Sequence, residues 1–302
     1  MTDVQLRLKS HKTKKRIKEG FKYVIIIFAA FVMLYPLLWI LGASFNEGAN
    51  ESFFFWPHDF TLIGWKEALS APGWGSAEGY SLLRALWNTL QYVLPHVIFG
   101  TLSTLITAYV ITRMHFKGKK LVFALVIGTL LMPNTIFRIP MYAFWTTPGI
   151  SELWDGNTTP FMGYLPLWAG SLFAVNSFSI FMFIQFFRTI PRDLDEAAYM
   201  DGANKLQVLW YVLLPVLKPI VITVALLLFI ASFNDYQGPL IYVTSAPFFP
   251  LSRVLPMLGL DSTNTYAHVY ARSIVSVSIL IIVFFAAQRY FVGNDADSAI
   301  KG

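Results

Sequence analysis

The feature that most constrains this 302-residue chain is a series of long apolar runs that carry almost no charge. A helix of about 20 apolar residues is long enough to cross the hydrocarbon core of a bilayer. Apolar residues make up 56% of the sequence and charged residues only 13%, against roughly 25% charged in soluble domains. The sequence therefore predicts an all-α integral membrane protein.

Six membrane-spanning helices are predicted within a domain that covers 23–291. The first is interpreted as an uncleaved span, because its basic region and its apolar core are both longer than those of a typical signal peptide. Met132-Pro133-Asn134 and Arg138-Ile139-Pro140 interrupt the third. The spans are placed at about 23–42, 85–112, 121–145, 164–187, 220–236 and 269–291, with an N-terminal segment at 1–22, a polar loop at 189–218 and a tail at 292–302.

The distribution of positive charge predicts the orientation of these spans. Six spans place both termini on one side of the membrane, and the side with more Lys and Arg is the cytoplasm. Most of the 23 Lys and Arg residues fall on the side of the termini, with eight in 1–22, four in 113–120 and four in 188–218. The net charge of +6 is thus explained by the topology of the spans and by attraction of the basic N-terminus to anionic lipid. No nucleic acid partner is expected.

The polar stretch 191–219 is predicted to form a helix, a tight turn and a second helix on the cytoplasmic side. Asp193 and Glu196 have the D-x-x-E spacing of a capping box at a helix N-terminus. Gly202 allows the positive φ that ends a helix and turns the chain. A second short helix is expected from about Asn204, until two prolines stop it. Its apolar stripe and the prolines are Leu206, Leu209, Trp210, Leu213, Pro215 and Pro219.

Motifs for catalysis and for metal binding are absent from the sequence. There is no cysteine, and the five histidines lack the spacing of metal ligands. Neither H-E-x-x-H nor G-x-S-x-G occurs, and Gly118-Lys119 lacks the upstream glycine of a P-loop. We therefore expect a chain that is no enzyme and holds no metal. Any ATP-driven step would need ATP hydrolysis on a separate partner chain.

The same polar stretch resembles the EAA loop of permease subunits in binding-protein-dependent ABC importers. Residue type, spacing and predicted context agree with that motif. Segments between about 85 and 291 are similar to the carbohydrate subfamily, in the branch of the second permease of maltose-type systems; they include Asn88-Thr89, Met132-Pro133 and Asn234-Asp235. The loop residues that carry the resemblance are Glu196, Ala197, Ala198, Asp201, Gly202, Ala203, Leu214 and Pro215, followed by Pro219.

The resemblance implies a transmembrane permease subunit of an ATP-driven importer for a carbohydrate, with an oligosaccharide expected, in the cytoplasmic membrane of a prokaryote. It implies as partners a second, non-identical permease, an ATPase dimer and an extracytoplasmic substrate-binding protein. No cofactor is expected on this chain, since ATP and Mg would bind the ATPase subunits. Within the loop, Glu196 would contact the ATPase, Gly202 would allow the turn, and the three alanines would permit close approach.

The sequence departs from the family pattern at a few positions. Lys205 stands where an acid is common, and Tyr211 where a basic residue is common. Both departures are consistent with a matched change in the partner ATPase. Asp295 and Asp297 occupy positions that are usually apolar or small, which predicts more electrostatic contacts for the C-terminal tail.

Polar groups inside the predicted spans are candidates for the substrate pathway, because such groups are costly in lipid. Arg138 and Asp235 fall near the ends of their spans and could pair. The alternative for each residue is a hydrogen bond between helices or a side chain that reaches the interface. The candidates are Asn134, Arg138, Asn176, Ser177, Asn234, Asp235 and Arg272, with Gln185 and Ser276 as further polar positions.

Other interpretations stay open at this point. An ion-coupled secondary transporter predicts inverted repeats and buried acids, and Asp235 is the only acid close to a span interior. A scaffolding membrane protein would not need the spacing of the EAA loop. The hairpin itself could be an amphipathic element that rests on lipid. The segment 43–84, with Phe53 to Trp56, either docks the binding protein or lies on the outer leaflet.

Overall fold

The structure, a computed structural model, describes residues 3–46, 59–70, 82–154, 160–257 and 267–298. Within these ranges the chain is helical, and its β contact is an isolated bridge between Asn46 and Phe60. The all-α class is therefore confirmed. The helices are α1 Asp3–Ala43, α2 Ile63–Ser70, α3 Leu82–Arg113, α4 Lys119–Leu130, α5 Arg138–Trp145, α6 Pro160–Gly163, α7 Leu165–Trp168, α8 Ser177–Thr189, α9 Asp193–Met200, α10 Lys205–Gln207, α11 Leu214–Phe233, α12 Gln237–Tyr242, α13 Leu251–Met257 and α14 Ala267–Ser298.

The chain divides into two units, and the first comprises Met1–Ser70 and Asp261–Val275. Its α1 runs without a break from the basic segment through the first predicted span, so residue 22 is no structural boundary. After α1 the chain folds back, and the Phe45 ring stacks on Phe60 at 5.2 Å between ring centroids. A Cβ at Gly64 would lie 2.7 Å from the Ala267 backbone, so only glycine fits where α2 meets the start of α14.

The second unit, Ala71–Leu260 with Ser276–Gly302, is built around α3. This helix packs along α8 and α11, and its 32 residues span about 48 Å at 1.5 Å per residue. The buried core between the three helices includes Leu105, Tyr109, Phe183, Phe187, Leu213 and Leu217.

The third and fourth predicted spans are both interrupted. After α4, Pro133 adopts an extended ψ of 127°, and the helical segment that follows is bent by 98° from α4. Proline has no N–H to continue a helix and disfavours helical geometry in the preceding residue. The fourth span is not one helix either, because Ala174 has a left-handed φ of 54° and α8 restarts only at Ser177.

The helix that holds the fifth predicted span begins before residue 220, and the prolines do not stop the second hairpin helix. From α10 the chain continues through a π-helical turn, Val208–Leu213, directly into α11. Pro215 directly follows the π-helical turn, and Pro219 lies inside α11, so neither proline ends the helical path. The predicted loop boundary at 218 therefore falls within a continuous helical path from Lys205 to Phe233.

Five helical segments in the described residues are long and apolar enough to cross a membrane. They are Arg16–Ala43, Leu82–Arg113, Leu165–Thr189, Lys205–Phe233 and Ala267–Tyr290. The bent pair Lys119–Leu130 and Asn134–Trp145 makes a sixth if it is one span. The helix α14 also extends to Ser298, beyond the predicted start of the tail at 292, and residues 299–302 lie outside the described residues.

Candidate functional site

The polar stretch folds as a helical hairpin, residues 193–213, with the turn where the sequence predicts it. Gly202 has a φ of 83°, which an L side chain would adopt only with strain. A capping box is present at Asn204, whose Oδ1 accepts a hydrogen bond from the Gln207 N–H at 3.0 Å, while Gln207 accepts one from the Asn204 N–H. Both features stop α9 and start α10 within four residues.

The capping box predicted at Asp193 and Glu196 is wrong. The N-cap of α9 is Arg192, with no side-chain cap, and Asp193 is the first helical residue. The three acids of the first turn still suit that position, because the N-terminus of a helix carries a partial positive charge. The correct motif lies one helix later, at Asn204, and was present in the sequence as N-x-x-Q.

The predicted coupling residues separate into an exposed set and an inward set. The side chains of Glu196, Ala197 and Asp201 are exposed, as are Gly202 and Pro215. Ala198 is only 9% exposed and belongs to the core of the second unit. Ala203 and Leu214 are half-buried and pack on the same core. Ala198 and Ala203 thus pack against the core of their own chain, and their part in an ATPase contact stays a prediction.

The predicted apolar stripe of the second helix is also divided between two faces. Leu209 and Leu213 are fully buried, whereas Leu206 is 62% exposed and Trp210 is 39% exposed. Tyr199, Met200 and Tyr211 add further exposed apolar surface, with Met200 at 88% and Tyr211 at 78%. The hairpin therefore exposes both apolar and acidic side chains that nothing in the described chain covers.

An anchor that the sequence reasoning missed holds the hairpin to the end of α3. The Arg113 Nε lies 3.0 Å from the Asp195 Oδ2, and both side chains are less than 10% exposed. The Arg113 Nη2 donates a hydrogen bond to the Ile190 carbonyl at 2.9 Å. The Tyr109 hydroxyl donates to the Lys205 carbonyl, also at 2.9 Å. One helix end thus contacts the chain before, within and after α9.

The environment of Asp195 opposes its charge. Burial raises the pKa of the Asp195 carboxyl, and the positive charge of Arg113 offsets part of that rise. The Nε and Oδ2 atoms approach closely without hydrogen-bond geometry, and the second carboxylate oxygen is buried without a hydrogen bond. The pair is therefore a buried Coulombic contact. Removal of either side chain would leave the other charge buried and unpaired.

The candidate pathway residues are not brought together at one place, and several have local partners. The Asn176 side chain caps α8 by accepting from the Ser179 N–H at 2.9 Å. Ser177 shares a 2.7 Å hydrogen bond with Thr129 of α4. Asn234 donates to the Ile230 carbonyl at 2.9 Å. Asn134 is exposed at the kink after α4, and Arg272 is buried in the first unit.

The pair proposed between Arg138 and Asp235 does not form. Asp235 Oδ1 instead accepts a hydrogen bond from the Gly238 N–H at 3.2 Å, and the Asp235 carbonyl accepts one from Ser252. A Cβ at Gly238 would collide with the Asp235 carboxylate and with Leu167, so this turn is closed tightly on itself. The pathway role of these residues stays a prediction.

A second network holds the other end of α3. The Asn88 amide donates to the carbonyls of Pro247 at 3.0 Å and Phe249 at 3.2 Å. The Thr89 hydroxyl accepts from the Leu251 N–H at 2.9 Å. Asn88 and Thr89 are almost fully buried, so these bonds replace contacts with water. Their polarity at the start of this span predicted a face turned to protein or water, and both side chains bond to protein.

These features define a class: a helical membrane protein of several spans with an exposed hairpin that is braced against its second span. The family described as the binding-protein-dependent transport system inner membrane component matches residues 9–293. The chain belongs to this family. It is a permease component of an ABC importer, and neither an ion-coupled carrier nor a scaffold is supported.

Similar proteins agree with this assignment. The trehalose/maltose transport system permease protein MalG of Thermococcus litoralis is 28% identical, over 94% of this chain and 99% of its own length. The melibiose/raffinose/stachyose import permease protein MelC of Bacillus subtilis is 27% identical, over 92% and 94%. In the crystal structure of a bacterial ABC transporter involved in the import of alginate, one chain shares the fold with a TM-score of 0.70, at 24% identity over 92% of this chain and 98% of its own.

Proposed function

We propose that this permease moves a carbohydrate, of oligosaccharide size, across the cytoplasmic membrane after delivery by an extracytoplasmic binding protein. The support comes from relatives that span nearly the whole chain and whose names specify trehalose and maltose, or melibiose, raffinose and stachyose. A further relative transports galactooligosaccharides and is 27% identical over 96% of this chain. Neutral sugars of two or more units are common to these names.

The hairpin is the proposed docking element for the ATPase. The observation that carries this proposal is the exposed side of α9, where Glu196 lies one helical turn from Met200. Asp201 and Tyr211 are exposed elsewhere on the same hairpin. Exposed apolar surface of this kind needs a cover. A lipid surface suits this hairpin poorly, because it also exposes the carboxylates of Glu196 and Asp201. A protein cleft with both apolar and cationic groups would fit it better.

The remaining partners follow from this assignment. ATP and Mg bind the two ATPase subunits, and this chain holds no cofactor of its own. A second, non-identical permease completes the pathway, since five or six spans form only part of one. Both termini, 1–22 and 292–302, and the hairpin face the cytoplasm with the ATPase. Lys205 and Tyr211 are exposed on the hairpin, so the ATPase should carry matching changes opposite them.

Co-purification tests the docking role. The tagged chain is expressed with candidate ATPase and second-permease subunits from the same organism, and the retained ATPase is quantified. Glu196→Gln should lower retention several-fold, because the neutral amide loses a charge-assisted contact. Asp193→Asn is the matched control, since it makes the same change on an exposed acid of the same helix.

The two variants must differ for the proposal to stand. Equal retention of ATPase by the wild type, Glu196→Gln and Asp193→Asn would remove Glu196 from the interface. Failure of the wild-type chain to retain any ATPase would overturn the docking role as a whole. Insertion of each variant into the membrane is checked by its yield in the membrane fraction.

A further inference from the structure

The hairpin is fixed to one helix at both of its legs. Arg113 contacts Asp195 in α9 and the Ile190 carbonyl, which lies on the leg that arrives from α8. Tyr109, one turn earlier on α3, holds the Lys205 carbonyl on the leg that leaves toward α11. Because Tyr109 and Arg113 lie four residues apart, they occupy one face of α3.

Burial makes this attachment stiff. The Arg113 and Asp195 side chains are 7% and 9% exposed, and Tyr109 is 1% exposed. Removing one partner of a buried ion pair leaves the other charge buried and unpaired, which is strongly unfavourable. A displacement of the hairpin that separated Asp195 from Arg113 would meet this cost. The hairpin and the end of α3 should therefore move as one body.

The same helix ends in a second fixed contact. Asn88 and Thr89 hold the backbone of 247–251 by three hydrogen bonds, and the Tyr92 hydroxyl donates to the Ser232 carbonyl at 3.2 Å. From Thr89 to Arg113 the helix rises about 36 Å at 1.5 Å per residue. One continuous helix, with Pro95 inside it, thus joins the hairpin to a segment near the far end of the bundle.

We propose that α3 transmits movement of the hairpin to the 247–251 segment, and that the Arg113–Asp195 pair is the positioning contact that locks the hairpin to α3. The proposal rests on the docking role given above, because the ATPase supplies the movement. It assigns a task to a residue pair that lies outside the predicted ATPase face. Asp195 is turned away from that face, whereas its neighbour Glu196 is on it.

Distance measurements between spin labels test the lock in the isolated chain. The sequence has no cysteine, so cysteines introduced at Met200 and Ile106, both exposed, are the only labelling sites. The wild-type background should give a narrow distance distribution. Asp195→Asn and Arg113→Gln should broaden it, whereas the exposed-acid control Asp193→Asn should not. Unchanged distributions in both pair variants would overturn the lock.

Transport per ATP tests the transmission. In proteoliposomes that contain the assembled importer, Asp195→Asn and Arg113→Gln should keep ATP hydrolysis but lower sugar uptake per ATP by on the order of tenfold. A merely structural role would lower folded yield and leave this ratio unchanged. Arg113→Lys, which keeps the charge but not the guanidinium fork, should recover part of the ratio.

The two assays separate failure of this inference from failure of the docking role. A wild-type chain that retains no ATPase would refute the docking role, while the label distances would still decide the lock. Broadened distances with wild-type uptake per ATP would refute transmission through α3. Should both neutral variants fail to insert, the charge-swapped double variant Arg113→Asp with Asp195→Arg restores opposite charges and is measured in the same way. Wild-type sugar uptake per ATP in this double variant, together with a broad spin-label distance distribution, would contradict the lock.

Discussion

Asp195 and Glu196 are adjacent acids with opposite surroundings. An α-helix turns about 100° per residue, so neighbouring side chains point in different directions. Asp195 is 6% exposed and meets Arg113, whereas Glu196 is exposed at the hairpin surface. The spacing of Asp195 and Ala198, three residues apart, already places them on one inward face. The sequence pattern drew attention to Glu196, and the acid that anchors the hairpin is the one before it.

Glycine at the hairpin turn offers a test at the residue scale. Gly202 and Gly118 have nearly the same φ, 83° and 88°, and a Cβ at either would meet nothing within 4 Å. Alanine at either position should therefore cost a similar strain of about 1 kcal/mol. Gly202→Ala should also reduce ATPase retention and uptake, because it shifts α9 relative to α10.

Gly118→Ala is the matched control for that substitution, since it lies in the turn before α4. Thermal unfolding in detergent measures the shared strain, and proteoliposome uptake measures the specific effect. Equal uptake by the two variants would mean that the turn geometry at Gly202 has no special part in coupling.

At the scale of elements, the sequence predicts that a helix exists better than it predicts whether the helix is continuous. The positions of Gly202 and Asn204 follow from local chemistry, and both are found where expected. Pro133 predicts a break after α4 but not the 98° angle between α4 and the segment Asn134–Trp145. That angle depends on what the following segment packs against. The break at Ala174 has no proline or glycine beside it, and its local signal is Asn176, whose side chain caps the restarted helix α8. The contact of Arg113 with Asp195 joins residues 82 positions apart, and only the packing of α3 reveals it.

The bent pair α4 and α5 yields a prediction about topology. If the two helices together form one span, Lys117 and Thr147 lie on opposite sides of the membrane; if they are re-entrant, both lie on one side. We expect a full span, because six spans place the basic loop 113–120 on the same side as the basic N-terminus, as the positive-inside rule requires. Single cysteines at these exposed positions should differ in labelling by a membrane-impermeant thiol reagent in intact cells.

Only Thr147→Cys should be labelled before permeabilisation, and Lys117→Cys only after it. Met200→Cys in the hairpin serves as the reference for the predicted cytoplasmic side. Labelling of Lys117 and Thr147 under the same condition would contradict the full span and would place the termini on opposite sides.

For the whole molecule, the second unit forms a continuous connection from the hairpin to the far end of α3. The core between α3, α8 and α11 is fully buried at Phe183, Phe187 and Leu217, and such close packing suits the transmission proposed above. The first unit differs, because the apolar window of α1 has no buried residue within the described chain. Its apolar side chains suit lipid or a helix of another membrane chain.

The central claim is that ATP, hydrolysed on a partner chain, drives uptake through this permease. Labelled oligosaccharide uptake into proteoliposomes with the assembled importer and binding protein tests it most directly. Uptake should require ATP on the side of the ATPase and should continue when ionophores collapse the ion gradients. Uptake that proceeds without ATP and stops with ionophores would contradict the account and would favour an ion-coupled carrier.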